Sequence, residues 1–338
     1  MNGENNHITL KVQNLEIGYP TPGKTDSFYR RSISVSAVRG EIIALIGPNG
    51  IGKSTLLKTI AGLTRKISGE VLINGQPADG FSPERLSRVL SFVSTEKLSV
   101  PQMTVDELVA FGRFPYTGWL GTLQKEDINK VTEAMEKVGI GHLSRKMINE
   151  ISDGERQRAM IARALAQDTP VIILDEPTAF LDISNTFTIF HLLHQLAGKE
   201  QKTIILSTHD LHLAIQKMDK LWIMLESETL EGAPEDAILK GWLEHLFQDD
   251  QIGFNASKGE FFFRKEPVGT LSVEGSGRAF TLTIKALERK GYLVNRSSGE
   301  EIHLVVREGY KNASPEWELI DRGHHRIFHS IYDLVSEL

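Results

Sequence analysis

The sequence predicts an α/β fold, and three observations carry that expectation. Apolar runs at Glu41–Ile46, Val171–Leu174 and Thr203–Leu206 are short and nearly unbroken, as the strands of a parallel sheet covered on both faces are. Helical patterning lies between them, and strand alternating with helix marks this class. The third observation is a glycine-rich stretch, GPNGIGKST at Gly47–Thr55, lodged between one of these strands and a helix.

The elements follow in order. Ile8–Tyr19 (ITLKVQNLEIGY) alternates apolar and polar residues and reads as a strand, followed by a turn-rich PTPGKTDS. Glu41–Ile46 is a buried strand feeding the glycine stretch, and Ser54–Leu63 reads as a helix. SGEVLINGQPA, from Ser68, gives a strand and a turn, and VLSFVSTEK a further strand. From Pro101 to about Gln167 the pattern is mostly helical, with aromatics and loops between Gly112 and Gly121. Near Lys265 the character changes. VGTLSV, AFTLTIKALERKG, YLVN, EIHLVV and SIYDLVSEL carry their own apolar periodicity, which a disordered tail would lack. The expected division is a main domain over residues 1–265, with a helical part at about 101–167, and a small α/β appendage over 266–338.

Composition bounds the function. Hydrophobic residues at 40% and charged residues at 24% suit a globular chain with a real core. A net charge of −6 argues against a broad polyanion-binding surface, so no nucleic-acid partner is expected. The chain contains no cysteine, which fits a reducing compartment. MNGENNHITL lacks the apolar centre of a signal peptide, and no run reaches the roughly 18 apolar residues of a membrane span. A cytoplasmic protein that meets a membrane only through a partner is the expectation.

Three segments carry chemistry. GPNGIGKST fits G-x-x-x-x-G-K-[ST] in the strand–helix context the motif needs. Gly47, Gly50 and Gly52, with Pro48 and Asn49 between them, let backbone N–H groups turn inward on phosphate oxygens, and the helix opening at Ser54-Thr55 adds its positive end. Lys53 is placed to reach the β- and γ-phosphates and the Ser54 hydroxyl to ligate Mg²⁺, so ATP and Mg²⁺ are the expected ligands. VIILDEPTAFLD (Val171–Asp182) delivers Asp175 to the end of an apolar strand, where its carboxylate can hold Mg²⁺ through a water. Glu176 follows directly, points differently, and is the candidate to polarise an attacking water. ILSTHD, from Ile205, again runs strand into turn and brings His209 toward the γ-phosphate.

Together these segments resemble the ATP-binding subunits of ABC transporters, over residues from Tyr19 to about Glu231. The resemblance implies a P-loop NTPase core with an antiparallel β edge and a helical subdomain. Tyr19 in LEIGY resembles the aromatic residue that stacks on adenine. ISDGERQR (Ile151–Arg158) resembles the signature LSGGQ-x-Q-R, whose Ser152 and Gly154 equivalents contact the γ-phosphate held by a second copy. Asp153 stands where the family has glycine and Glu155 where it has glutamine. Read alone, the stretch is a helix cap, with Ser152 as N-cap and Glu155 completing a capping box. AFLD, ending at Asp182, resembles the loop that crosses the dimer interface. The family's Mg²⁺-contacting glutamine is absent; either Thr95 or Glu96 stands in its place, or the Mg²⁺ contact is made through water.

MTVDELVAFGRFPYTGWLG (Met103–Gly121) resembles the TV-x-ELVA-x-GR-x-P segment of ATPases serving importers of iron–siderophore complexes, haem and cobalamin. By this resemblance Val105–Phe111 and Gly112-Arg113 lie in the part that docks onto membrane permease subunits. The implied assembly is a homodimer on two permeases, served by a substrate-binding protein, at the inner face of the cell membrane. Two other readings stand beside it: a soluble ABC ATPase of DNA repair or translation, and a regulatory nucleotide-binding module with little turnover. The appendage is expected to regulate or stabilise the dimer, and His324, His325 and His329 are expected to be surface histidines.

Overall fold

A computed structural model describes residues 8–19, 28–94, 102–118, 121–179, 181–246, 252–255, 259–295, 302–309 and 314–338. The chain opens with β1 (Ile8–Tyr19), β2 (Phe28–Val38), β3 (Ile42–Ile46), α1 (Lys53–Ile60), β4 (Ser68–Ile73) and β5 (Gln76–Pro77). A short α2 (Pro83–Ser87) leads to β6 (Leu90–Val93), and α3 (Val105–Ala110), α4 (Lys125–Lys137) and α5 (Asp153–Ala166) follow. Strand and helix then alternate through β7 (Val171–Leu174), α6 (Ile183–Gly198), β8 (Thr203–Ser207), α7 (Leu211–Lys217), β9 (Lys220–Met224), β10 (Thr229–Gly232) and α8 (Pro234–Leu239).

Among the described residues, six strands in the order β10-β9-β3-β8-β7-β6 make the main sheet, parallel except for β10. Every residue of β3 is fully buried, and β7 and the apolar part of β8 are buried almost as completely. That explains their unbroken apolar sequences, since α1 packs on one face and α6 on the other. A second, antiparallel sheet, β2-β1-β4-β5, closes the core over α1. In β1 the buried residues run Leu10, Val12, then Leu15 and Ile17, so the alternation slips by one position. Asn14 causes the slip: it takes φ 46° at a bulge, and Gly69 of β4 lies so close that an added Cβ would sit 2.3 Å from the Asn14 carbonyl oxygen.

Helix α1 is shorter than its sequence pattern. It ends at Ile60, with Ala61 as C-cap, and leaves Leu63 63% exposed.

The helical region packs through two residues of the GR pair. Gly112 approaches α5 so closely that a Cβ there would meet the Arg163 carbonyl oxygen at 2.2 Å. Arg113 is 5% exposed; its Nε donates to Asp127 Oδ1 at 2.9 Å and Nη1 to the Ala166 carbonyl at 2.8 Å. An internal cation is tolerable only with such partners. The side chains left outside are Phe111, Phe114 and Tyr116, at 37%, 52% and 36% exposure.

The chain divides into two compact units, Met1–Gln248 with Phe254–Glu260 and Asp249–Gly253 with Phe261–Leu338. The division falls in a two-stranded ribbon, β11 (Ile252–Asn255) with β12 (Glu260–Phe263). The second unit holds β13 (Gly269–Gly275), α9 (Gly277–Lys290), β14 (Tyr292–Asn295), β15 (Ile302–Arg307), β16 (Glu316–Asp321), β17 (His324–Phe328) and α10 (Ile331–Ser336). Its sheet runs β14-β13-β15-β16-β17, with β13 parallel to both neighbours and the last two strands antiparallel. Leu271, Val273, Leu304, Trp317 and Leu319 pack under α9 and α10, and the Trp317 indole donates to Thr283 Oγ1 at 2.6 Å. His324 and His325 lie exposed on β17, where His325 Nδ1 meets Glu318 Oε1 at 2.8 Å, and His329 follows it. Among the described residues, no helix is long and apolar enough to cross a membrane.

Candidate nucleotide site

The parallel register sets the ends of β3, β8 and β7 side by side, with Leu45 opposite Ser207 and Leu206 opposite Leu174. Whatever follows each strand therefore meets at one edge of the sheet, where ligands of open α/β sheets bind.

After β3 the loop turns at glycines that no other residue could replace without strain. Gly50 and Gly52 have φ 75° and 108°, and a Cβ on Gly47 (φ 156°) would lie 2.6 Å from the Met224 carbonyl oxygen. Gly52 is the N-cap of α1 and supplies no side chain, so the first turn keeps its N–H groups for a ligand. Lys53 is 6% exposed and donates to the carbonyls of Gly47 and Pro48 at 2.8 and 3.1 Å. Burial pushes its ammonium pKa down, and the carboxylates of Glu176 and Asp175 pull the other way. Arg30 of β2 braces the loop from outside through Nε to the Ile51 carbonyl, 3.0 Å.

Asp175, 3% exposed, lies directly after β7. Its Oδ1 accepts from Ser54 Oγ at 3.1 Å and from Ser207 Oγ at 2.7 Å. The Ser207 hydroxyl also accepts from the Glu176 backbone N–H at 2.8 Å, so one side chain fixes both acidic residues. Glu176 takes φ 46°, which turns its carboxylate away from that of Asp175 and toward His209; Oε1 and Nε2 are 2.7 Å apart. Glu176 and His209 line a cavity of about 510 Å³ together with Leu181, Ile183 and Phe187, and the Glu176 side chain is 32% exposed, so the carboxylate is open to water. Ser207 is the residue that motif reading misses. The signal is there: a hydroxyl residue ends the strand directly after the apolar run Ile204–Leu206.

Ser152, Gly154 and Asp182 do not join this cluster in the described interactions. Ser152 caps α5, and its hydroxyl accepts from the Glu155 N–H at 3.3 Å. Gly154 faces Leu181, whose Cδ2 would lie 3.3 Å from an added Cβ. Asp182 caps α6 through the Asn185 N–H at 2.7 Å, and Asn185 is held in turn by Arg158 of α5. The helix bearing Ser152 and the loop ending at Asp182 are thus tied together. Tyr19 ends β1, opposite Phe28 of β2. Thr95 and Glu96 lie outside the described residues.

The chain is similar to known proteins. A family model described as ABC transporter matches residues 31–179, and one described as Iron ABC transporter C-terminal domain matches residues 268–338. An uncharacterized ABC transporter ATP-binding protein of Methanocaldococcus jannaschii, MJ0873, is 36% identical over 260 residues, covering 77% of this chain and 88% of that protein. The chain belongs to the ABC transporter ATP-binding family. Like its relatives, this ABC subunit is an ATPase. The iron(3+)-hydroxamate import ATP-binding protein FhuC of Bacillus subtilis is 34% identical over 72% of the ABC chain and 88% of its own length. The ferric enterobactin transport ATP-binding protein FepC of Escherichia coli is 34% identical over 70% and 86%. Among solved structures, a metal-chelate type ABC transporter in an inward-facing conformation matches with TM-score 0.62 and 26% identity over 75% of this chain and 95% of that one. The dimeric bacterial cassette MJ0796 matches with TM-score 0.60 and 26% identity over 67% and 98%.

Proposed function

We propose that this ABC ATPase drives uptake of an iron–siderophore complex, working as a homodimer on membrane permeases at the inner face of the cell membrane. The observation that carries the hydrolytic part is the linked set Ser54–Asp175–Ser207–Glu176–His209 at the ends of β3, β7 and β8. The cargo reading is supported by the siderophore-transport relatives and by the iron-type match over residues 268–338. The Met103–Gly121 segment also allows haem and cobalamin.

The residues fit the expected ligands. Ser54 Oγ and Asp175 Oδ1 are oxygen donors 3.1 Å apart, the hard-ligand pairing that suits Mg²⁺ beside a nucleotide. Ser54 and Asp175 would hold a bound Mg²⁺, which would supply neutralisation of phosphate charge. The Lys53 ammonium leaves the Gly47 and Pro48 carbonyls for the phosphate oxygens, and its burial makes that attraction stronger than in water. The N–H groups of Gly50–Thr55 cradle the β-phosphate, and Tyr19 takes the adenine. Glu176 orients and polarises a water in line with the γ-phosphate, while His209 holds the carboxylate and contacts the γ-phosphate. Ser152 and Gly154 of the second copy cap the same phosphate, with Asp182 at the crossing between copies. Phe111 and Phe114 offer the exposed apolar surface for a permease helix.

The test is reconstitution in vesicles with a permease pair of the iron–siderophore importer class. ATP turnover that rises with a ferric siderophore and its binding protein is the expected result. Turnover indifferent to both, with no iron accumulated in vesicles, removes the importer reading.

A further inference from the structure

The first turn of α5 holds an anion of its own making. Glu155 Oε2 accepts from the Ser152 backbone N–H at 2.8 Å and from the Ser152 hydroxyl at 2.9 Å. A serine hydroxyl has one proton to donate. While Glu155 takes it, no phosphate can. The neighbouring Asp153 is paired with Arg156 at 2.6 Å. Glu155, by contrast, has no ion pair with a lysine or arginine among the described residues; Lys146 and Arg158 act on it only from a distance. Its carboxyl is held below the ordinary range, chiefly by the Ser152 N–H and then by the Ser152 hydroxyl, so it is ionised at neutral pH.

We infer that Glu155 is a positioning residue that competes with the γ-phosphate for Ser152, and so sets the ATP level at which two copies close. The inference rests on the sandwiched-dimer reading above. Closure requires the Ser152 hydroxyl to turn from the carboxylate to the γ-phosphate of the facing copy. It also brings two anionic groups together around one side chain at the positive end of α5. A neutral amide at this position keeps the cap without the charge, because its carbonyl oxygen still accepts from the Ser152 N–H.

The experiment places Glu155→Gln in the full chain carrying Glu176→Gln, so that closed dimers accumulate. Dimer formation is followed by light scattering against ATP concentration, at low and high salt. The half-maximal ATP concentration is expected to fall on the order of tenfold when the charge is removed. Added salt is expected to favour closure more in the Glu155 parent than in the Glu155→Gln chain, since only the parent carries the repulsion being screened. A purely structural cap leaves both the ATP requirement and the salt response unchanged between the two, and that result overturns the inference while the dimer stands. If neither chain dimerises with ATP, the sandwiched-dimer reading falls and this inference with it. Equal melting temperatures verify that both chains are folded.

Discussion

The two halves of the proposed ATP site are built in opposite ways. The Lys53–Asp175–Glu176 half is buried and cross-linked: central strands fix each backbone, and Ser207 ties the two carboxylate residues to one point. The Ser152 half is an exposed helix end, held by its own carboxylate and by an ion pair between Asp153 and Arg156. On the proposed reading, the preorganised half takes the nucleotide, and the surface half keeps the Ser152 N–H and hydroxyl on Glu155 until the γ-phosphate of a second copy arrives. Burial gives permanence, and exposure gives a switch.

Four outcomes sharpen or break this contrast. Glu176→Gln attacks the buried half most directly: turnover should fall by about 10²–10⁴ while nucleotide binding persists. Hydrolysis near the normal rate in a single-turnover assay would remove Glu176 from the water-polarising role. Next is Arg113→Ala, which leaves Asp127 as an uncompensated buried charge and should cost about 3–5 kcal/mol in urea unfolding. A loss within measurement error would mean that the helical region does not depend on this pair. Third is Ser207→Ala, which strips one acceptor from the Glu176 N–H and one donor from Asp175. About 1–3 kcal/mol is expected, read as weaker Mg²⁺–ATP binding together with slower hydrolysis. An effect on stability alone would show that Ser207 packs the strand end without organising the site.

The smallest effect lies on the surface of the helical half. Asp168 is buried enough to be pushed up, yet the ammoniums of Lys130 and Lys202 outweigh that and bring its pKa from 3.8 to about 2. A carboxyl depressed on folding adds stability that is complete above its unfolded value and is lost as pH falls toward its folded one. The window is therefore between about pH 4 and pH 2. Because Asp168 is 42% exposed, solvent screening limits the contribution to about 1 kcal/mol or less. Acid titration of Asp168→Asn should show a correspondingly shallower loss of stability in that window; an unchanged slope would deny the ion pairs any role.

Much of the molecule was legible. Fully buried strands must be apolar on both sides, so β3, β7 and β8 announce themselves, and the residues after each one are those the motifs name. Other parts carry weak signals. β16 alternates, with Trp317 and Leu319 inward after Glu316 and Glu318, but β17 (HHRIF) is exposed at His324–Ile327 and carries no alternating signal. The slip in β1 reads as imperfect alternation until Asn14 is seen at its bulge. Gly112 and Arg113 look like part of a docking motif, yet both face inward, and Phe111 and Phe114 beside them form the outer surface.

The sequence by itself determined which residues are candidates for the chemistry, because a phosphate loop and a carboxylate after an apolar strand are local patterns with local causes. Only the tertiary structure decided how those residues hold one another. Ser207 linking Asp175 to Glu176, His209 meeting Glu176 and Arg113 turning inward depend on strands and helices far apart in the chain coming into register. The capping box at Ser152 shows the boundary between the two: its partners are three residues apart and predictable, while the phosphate they would answer to comes from outside the chain.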